Sequence, residues 1–177
     1  MKYLSLFLLL SCSTSTGLEA LDKRTYVTGG FSALPNIGVT LGGGVVRDPG
    51  EESGDKTSLE LLGTFQPWDD EIFSDDGNPA AGDWSQVQIG MRFTTPHPVG
   101  RRDSWRFGAV WARAKGSPNI VQTEGDYLGF YGGYGWDWEL PSGWRFGPDL
   151  TLLLVAPEGK YTPRPVPQLA FRFMRWF

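Results

Sequence analysis

The sequence has almost no cysteine and almost no histidine. Among 177 residues there is one of each, Cys12 and His97. A structural zinc or an iron–sulfur cluster draws ligands from several such side chains, so neither can be built here. No disulfide can form within the chain either. Basic blocks are also missing. Lys and Arg number 16 against 20 Asp and Glu, for a net charge of −4. No nucleic-acid footprint can be drawn from that distribution. Long apolar runs are scarce: the longest, Tyr3–Leu10, is well short of the roughly 18 residues that a spanning helix needs. Past residue 20 no amphipathic helical stretch stands out.

What the chain does have is glycine and aromatics: 24 Gly, 11 Phe, 8 Trp and 6 Tyr. Glycine weakens helices, and aromatics favour strands, so the composition points to β-structure with tight turns. At the start, Lys2, the apolar run and the small polar residues after it read as a secretory signal peptide over 1–20, cleaved after Ala20. The competing reading makes Cys12 in "LLSC" a lipidated first residue. Cleavage after Ala20 leaves 21–177 as one cysteine-free domain, whose stability comes from something other than disulfides.

That domain divides into eight alternating segments: 25–31, 37–47, 57–66, 84–94, 104–115, 127–140, 144–155 and 167–177. The two-residue period is that of strands with two chemically different faces. At about ten residues each, they match tilted membrane-crossing strands. "PSG" joins the sixth and seventh. Long Gly- and Pro-rich stretches follow the third, fifth and seventh: "PWDDEIFSDDGNPAAGD", "GSPNIVQTEGD" and "APEGKYTPR". Short turns on one side and long loops on the other are the arrangement of outer-membrane barrels, with short turns in the periplasm. "DPGEESGDK" after the second segment is long for such a turn, and the first segment is the least regular.

One phase of these segments is apolar, with Val87, Ile89, Phe93, Phe107, Trp111, Leu128, Phe130, Leu150, Leu152 and Leu154. The other carries Gln86, Gln88 and eight charges. Four are acids (Glu60, Asp137, Glu139, Asp149) and four are arginines (Arg92, Arg106, Arg145, Arg172). A soluble barrel buries the apolar phase, and a membrane barrel the charged one. Two features favour the membrane. Tryptophans at strand ends (Trp105, Trp136, Trp138, Trp144 and Trp176) suit a lipid–water interface. The balance of acid and arginine also suits a paired interior better than a solvated face. The eight charges are therefore expected to form a lumenal ion-pair network.

The last segment, "QLAFRFMRWF", adds a third feature. Leu169, Phe171, Phe173 and Phe177 share one face. The segment resembles the C-terminal signal of bacterial outer-membrane barrels, which the outer-membrane assembly machinery reads. Arg175 stands where that signal usually has an aromatic. On a lipid face near the rim an arginine costs about 0–1 kcal/mol, and its stem lets the guanidinium reach the headgroups. As architecture, 21–177 resembles the small eight-stranded barrels of the OmpA-transmembrane-domain, OmpX and OmpW kind. The resemblance implies an all-β, antiparallel, up-and-down transmembrane barrel in the outer membrane. It also implies a lipid bilayer and the assembly machinery as partners, a monomer, and no cofactor.

Chemistry is sparse. Some barrels of this size are lipid-modifying enzymes, including lipid A deacylases, that use His with Ser. His97 lies in "TTPHPVGRRD", a Pro-rich connection, and no strand Ser pairs with it by pattern, so a turn residue is the simpler reading. Asp137 and Glu139 point the same way, as an acid–base pair would, but the arginines on other strands favour ion pairing. "GGG" at 42–44 lacks the helix and Lys of a phosphate loop and reads as close backbone approach. "DDEIFSDDGN" lacks the spacing and terminal Glu of an EF-hand. The expectation is a non-enzymatic outer-membrane barrel with a structural or surface-interaction role and a charge-plugged lumen. A lipid hydrolase and a soluble exported barrel for a small apolar ligand are the alternatives.

Overall fold

The computed structural model describes residues 24–34, 37–47, 55–68, 82–116, 124–157 and 163–177. The signal segment 1–20 and most of the long acidic stretch after the third strand lie outside them. Eight strands run β1 (Arg24–Leu34), β2 (Gly38–Arg47), β3 (Lys56–Trp68), β4 (Gly82–Pro96), β5 (Arg101–Gly116), β6 (Gly125–Glu139), β7 (Trp144–Pro157) and β8 (Arg164–Trp176). Each pairs antiparallel with the next, and β8 returns to β1, so the sheet closes. Closure removes the sheet edges that an isolated aromatic strand such as β8 would expose.

Most strands are longer than the alternation predicts. β5 extends back to Arg101 because its pairing with β4 continues to Pro96↔Arg102. Only one turn of 3-10 helix, Pro98–Gly100, separates the two strands. The His97 N–H donates to the Arg101 carbonyl at 2.9 Å across it. The β6–β7 connection is equally tight. The Leu140 N–H donates to the Trp144 carbonyl at 2.7 Å, and Gly143 takes a φ of +75°, which glycine adopts without strain. Both turns lie at the end where the Phe177 N–H donates to the Thr25 carbonyl at 2.8 Å. The connections after β3, β5 and β7 leave from the opposite end.

The two phases separate cleanly across the wall. Outward lie large apolar side chains on every side, among them Phe130 at 71% exposure, Leu41 at 64% and Trp105 at 63%. Inward lie Glu60, Arg92, Arg106, Asp137, Arg145, Asp149 and Arg172, all buried. A barrel in water has the reverse distribution. The chain is a membrane-spanning barrel of the outer-membrane type, closed and all-antiparallel, with the apolar face turned to lipid.

Candidate functional site: a filled lumen and its rim

Eight strands leave an interior only wide enough for side chains. In the half near the tight turns that interior is ionic, and Glu60 is its centre. One of its carboxylate oxygens accepts from Tyr26 Oη at 2.6 Å and Arg172 Nη2 at 2.8 Å; the other accepts from Arg106 Nη1 at 3.0 Å. Arg92 Nη1 reaches Glu60 at 3.4 Å. Arg106 and Arg172 both continue to Asp149, Arg172 at 3.3 Å. Arg92 links onward to Asp137 at 3.3 Å and to Ser104 Oγ at 3.0 Å. Asp137 also bonds Arg145, which donates to Glu139 at 2.9 Å and to the Gly100 carbonyl at 3.1 Å. The structure thus connects all eight charges named from the sequence. Glu139 differs from the rest: its side chain is 59% exposed, so it marks the rim rather than the interior.

Glycines on the inward face make room for this network. In the register, Tyr26 stands opposite Gly44, Gly44 opposite Glu60, and Glu60 opposite Gly90. A Cβ on Gly44 would sit 2.6 Å from the Tyr26 ring, so its absence lets that ring cross to the carboxylate. Arg106 crosses Gly133 in the same way to reach Thr151 Oγ1 at 2.6 Å. Arg92 and Arg106 face each other directly across β4 and β5. Like charges so placed repel, and the acids Glu60, Asp137 and Asp149 around them reverse the balance.

Farther along, the lumen changes chemistry. Gln86 and Gln168 exchange amide hydrogen bonds at 2.8 and 2.9 Å, and the Thr40 and Thr64 hydroxyls meet at 3.1 Å. Beside and beyond them Trp84, Val110, Ala112, Ala114, Tyr127, Tyr131, Leu153, Val155 and Val166 form a buried apolar cluster. These residues share the parity of the charges, and alternation alone does not distinguish this half from the ionic one. Trp84 is turned inward and fully buried: its Nε1–H donates to Gln86 Oε1 at 2.9 Å, and its ring lies 5.6 Å from that of Tyr127. Two lumenal cavities measure about 20 and 10 Å³, each water-sized at most.

The rim aromatics divide. Trp105, Trp136, Trp138 and Trp144 lie on the outward face. Trp105 packs on Tyr134 at 4.7 Å, and Tyr134 on Trp136 at 5.9 Å. Trp176 does not join them. It shares the parity of Arg172 and Met174 and packs over Tyr26 at 4.9 Å inside the mouth. Lys56 Nζ and the Arg102 guanidinium each stand 5.7 Å from its ring. Its alternation forbids the lipid-facing role expected from its place near the strand end. Leu169, Phe171, Phe173 and Phe177 lie on the outward face of the last strand or just past it.

His97 is outside the lumen, exposed, with Nε2 3.0 Å from Asp103 Oδ2. Asp103 also takes a two-pronged bond from Arg101 at 2.8 and 3.0 Å. Among the described residues no hydroxyl is bonded to His97.

No protein-family model matches the sequence, and no curated protein does. Among solved structures, the fold is similar to Ail, the attachment invasion locus protein of Yersinia pestis. That likeness has 8% identity and a TM-score of 0.48, and covers 88% of this chain and 97% of the other. It is also similar to the outer membrane enzyme PagL, with 12% identity and a TM-score of 0.45, over 86% and 98% of the two chains. At likenesses this low, the architecture rests on the strand register of this chain itself.

Proposed function

We propose that this chain acts in a bacterial outer membrane as a monomeric, non-conducting barrel, a rigid anchor whose work is done by its exposed loops at the cell surface. The tight turns face the periplasm. The stretches after β3, β5 and β7 face outward, where they meet a surface partner. The outer-membrane assembly machinery inserts the barrel by reading Leu169, Phe171, Phe173 and Phe177, after export directed by 1–20.

One observation carries this reading: along the described strands the lumen is filled by buried side chains, hydrogen-bonded and ionic near the tight turns and apolar toward the opposite end. A porin keeps an aqueous path, whereas here Arg92, Arg106 and Arg172 are each 5% exposed or less. Planar-bilayer recording tests it. Purified protein should leave membranes at baseline, and large, stable single-channel steps would overturn the closed-lumen reading. Fractionation with a heat-modifiable gel shift tests the location, and an epitope tag near Asp76, accessible on intact cells, tests the orientation.

A second reading rests on His97 and Asp103. A carboxylate bonded to an imidazole is the orienting half of a hydrolytic triad, and this pair lies at the membrane edge beside interfacial aromatics. Phospholipid-ester hydrolysis by purified protein, lost in His97→Ala, would favour it. Among the described residues no hydroxyl is bonded to His97, so the anchoring role takes precedence.

A further inference from the structure

We propose that Arg175 holds the phosphate of a glycerophospholipid, in a site on the outer wall formed by β7 and β8. The orientation rests on the reading above, in which this end of the barrel meets the periplasmic leaflet. The site itself rests on three observations.

The first is an imbalance of charge. Three outward-facing arginine side chains are described. Arg101 is paired two-pronged with Asp103, and Arg113 with Asp126 at 2.6 and 2.9 Å. Arg175 has no carboxylate within ion-pair distance among the described residues. Its contacts are two aromatic faces: the guanidinium carbon lies 5.6 Å from the Trp144 ring and 5.8 Å from the Phe177 ring. Two rings hold the guanidinium in place and leave its N–H fork unused. At a lipid interface, the anion at that depth is a headgroup phosphate, and the fork matches a phosphate in two-pronged fashion.

The second is the wall that leads away from it. Phe173 lies two residues before Arg175 on the same face and packs on Phe146 at 4.6 Å. Phe146 continues to Phe171 at 6.2 Å, and Phe171 to Phe31 at 5.4 Å. From Arg175 to Phe171 the strand advances about 13 Å, so the aromatic track runs from headgroup depth into acyl-chain depth. A cation at one end of an apolar track matches a diacyl phosphate lipid from head to tail.

The third is the local pairing. Trp144 stands directly opposite Arg175 in the β7–β8 ladder, so neither side chain depends on a loop for its position. A site on paired strands is preorganised.

Native mass spectrometry of delipidated barrel tests the proposal. Phosphatidylglycerol or diacylglycerol with the same acyl chains is added back. The intact protein should keep one phosphatidylglycerol and no diacylglycerol. Arg175→Gln should lower retention about tenfold, the scale of one lost charge-assisted bond. Arg175→Lys should fall between the two, and Arg113→Gln at the opposite rim should match the intact protein. Equal retention by Arg175→Gln would overturn the site. So would equal retention of diacylglycerol by the intact protein, a comparison that needs no variant to fold. The gel shift and fractionation are separate readouts, so failure of the outer-membrane reading is distinguishable from failure of the lipid site.

Discussion

The two halves of the lumen are built from the same inward-facing positions and obey different physics. Near the tight turns, Glu60, Asp149 and Asp137 are locked with four arginines. Near the opposite end, Trp84, Tyr127, Leu153 and Val155 pack as they would in a soluble core. The apolar half gains from leaving water and tolerates small errors of fit. The ionic half gains little from burial itself, because removing charge from water is expensive, and it stands only while every charge is matched. The bonds of the ionic half fix its geometry at the carboxylates, while Arg92 Nε and Arg106 Nε are buried without a hydrogen-bond partner among the described residues.

Removing the hub should separate the halves most sharply. Glu60→Ala leaves Arg92, Arg106 and Arg172 around an empty centre and orphans the Tyr26 hydroxyl. A loss of about 3–5 kcal/mol is expected, read from urea unfolding in lipid vesicles. Glu71→Ala, in the acidic stretch after β3, serves as the control. If the two behaved alike, the ionic half would be hydrated rather than packed.

The apolar half should respond next. Leu153→Ala opens a cavity in a fully buried cluster, with an expected loss of about 2–4 kcal/mol in the same assay. A mild effect would mean that this half is loose and that closure lies in the ionic half alone.

Gly44→Ala probes the contact between wall and network. The new methyl would meet both the Leu59 carbonyl oxygen and the Tyr26 ring at 2.6 Å, so the strand, the ring or both must shift. Overpacking of this kind costs about 1–3 kcal/mol. Adding Tyr26→Phe in a double-mutant cycle should show strong coupling. Additive effects would argue that Gly44 does not hold the ring in place.

The smallest effect is expected outside the lumen. Arg113 and Asp126 form a two-pronged but exposed pair, so Arg113→Ala should leave stability close to that of the intact protein. A larger loss would show that partnering alone, rather than burial, sets the energetics of charges in this barrel.

Particular residues show what could be read in advance. Phe107, Leu128 and Leu152 are outward, and Arg92, Arg106 and Asp149 inward, as the alternation requires. Trp84 and Trp176 were also legible by that rule. Trp84 shares parity with Gln86 and Gln88, and Trp176 with Arg172. The nearness of Trp176 to a strand end suggests an interface, but parity prevails because successive Cβ atoms point to opposite sides of a strand. The apolar cluster is harder to read. Val110, Ala112 and Ala114 occupy inward positions on the same strand as Arg106, and alternation carries no information about depth.

By itself the sequence determined the eight strands, their turns and the two sets of side chains, because a period of two is a local property of extended backbone. It did not determine which residues meet. Tyr26, Gly44, Glu60 and Gly90 fall in one row only because four strands pair in one register. Arg172 reaches Glu60, 112 positions away in the chain, only because β8 closes on β1. Register and closure are collective: each pairing depends on all the others completing the ring, and no stretch of chain encodes that alone.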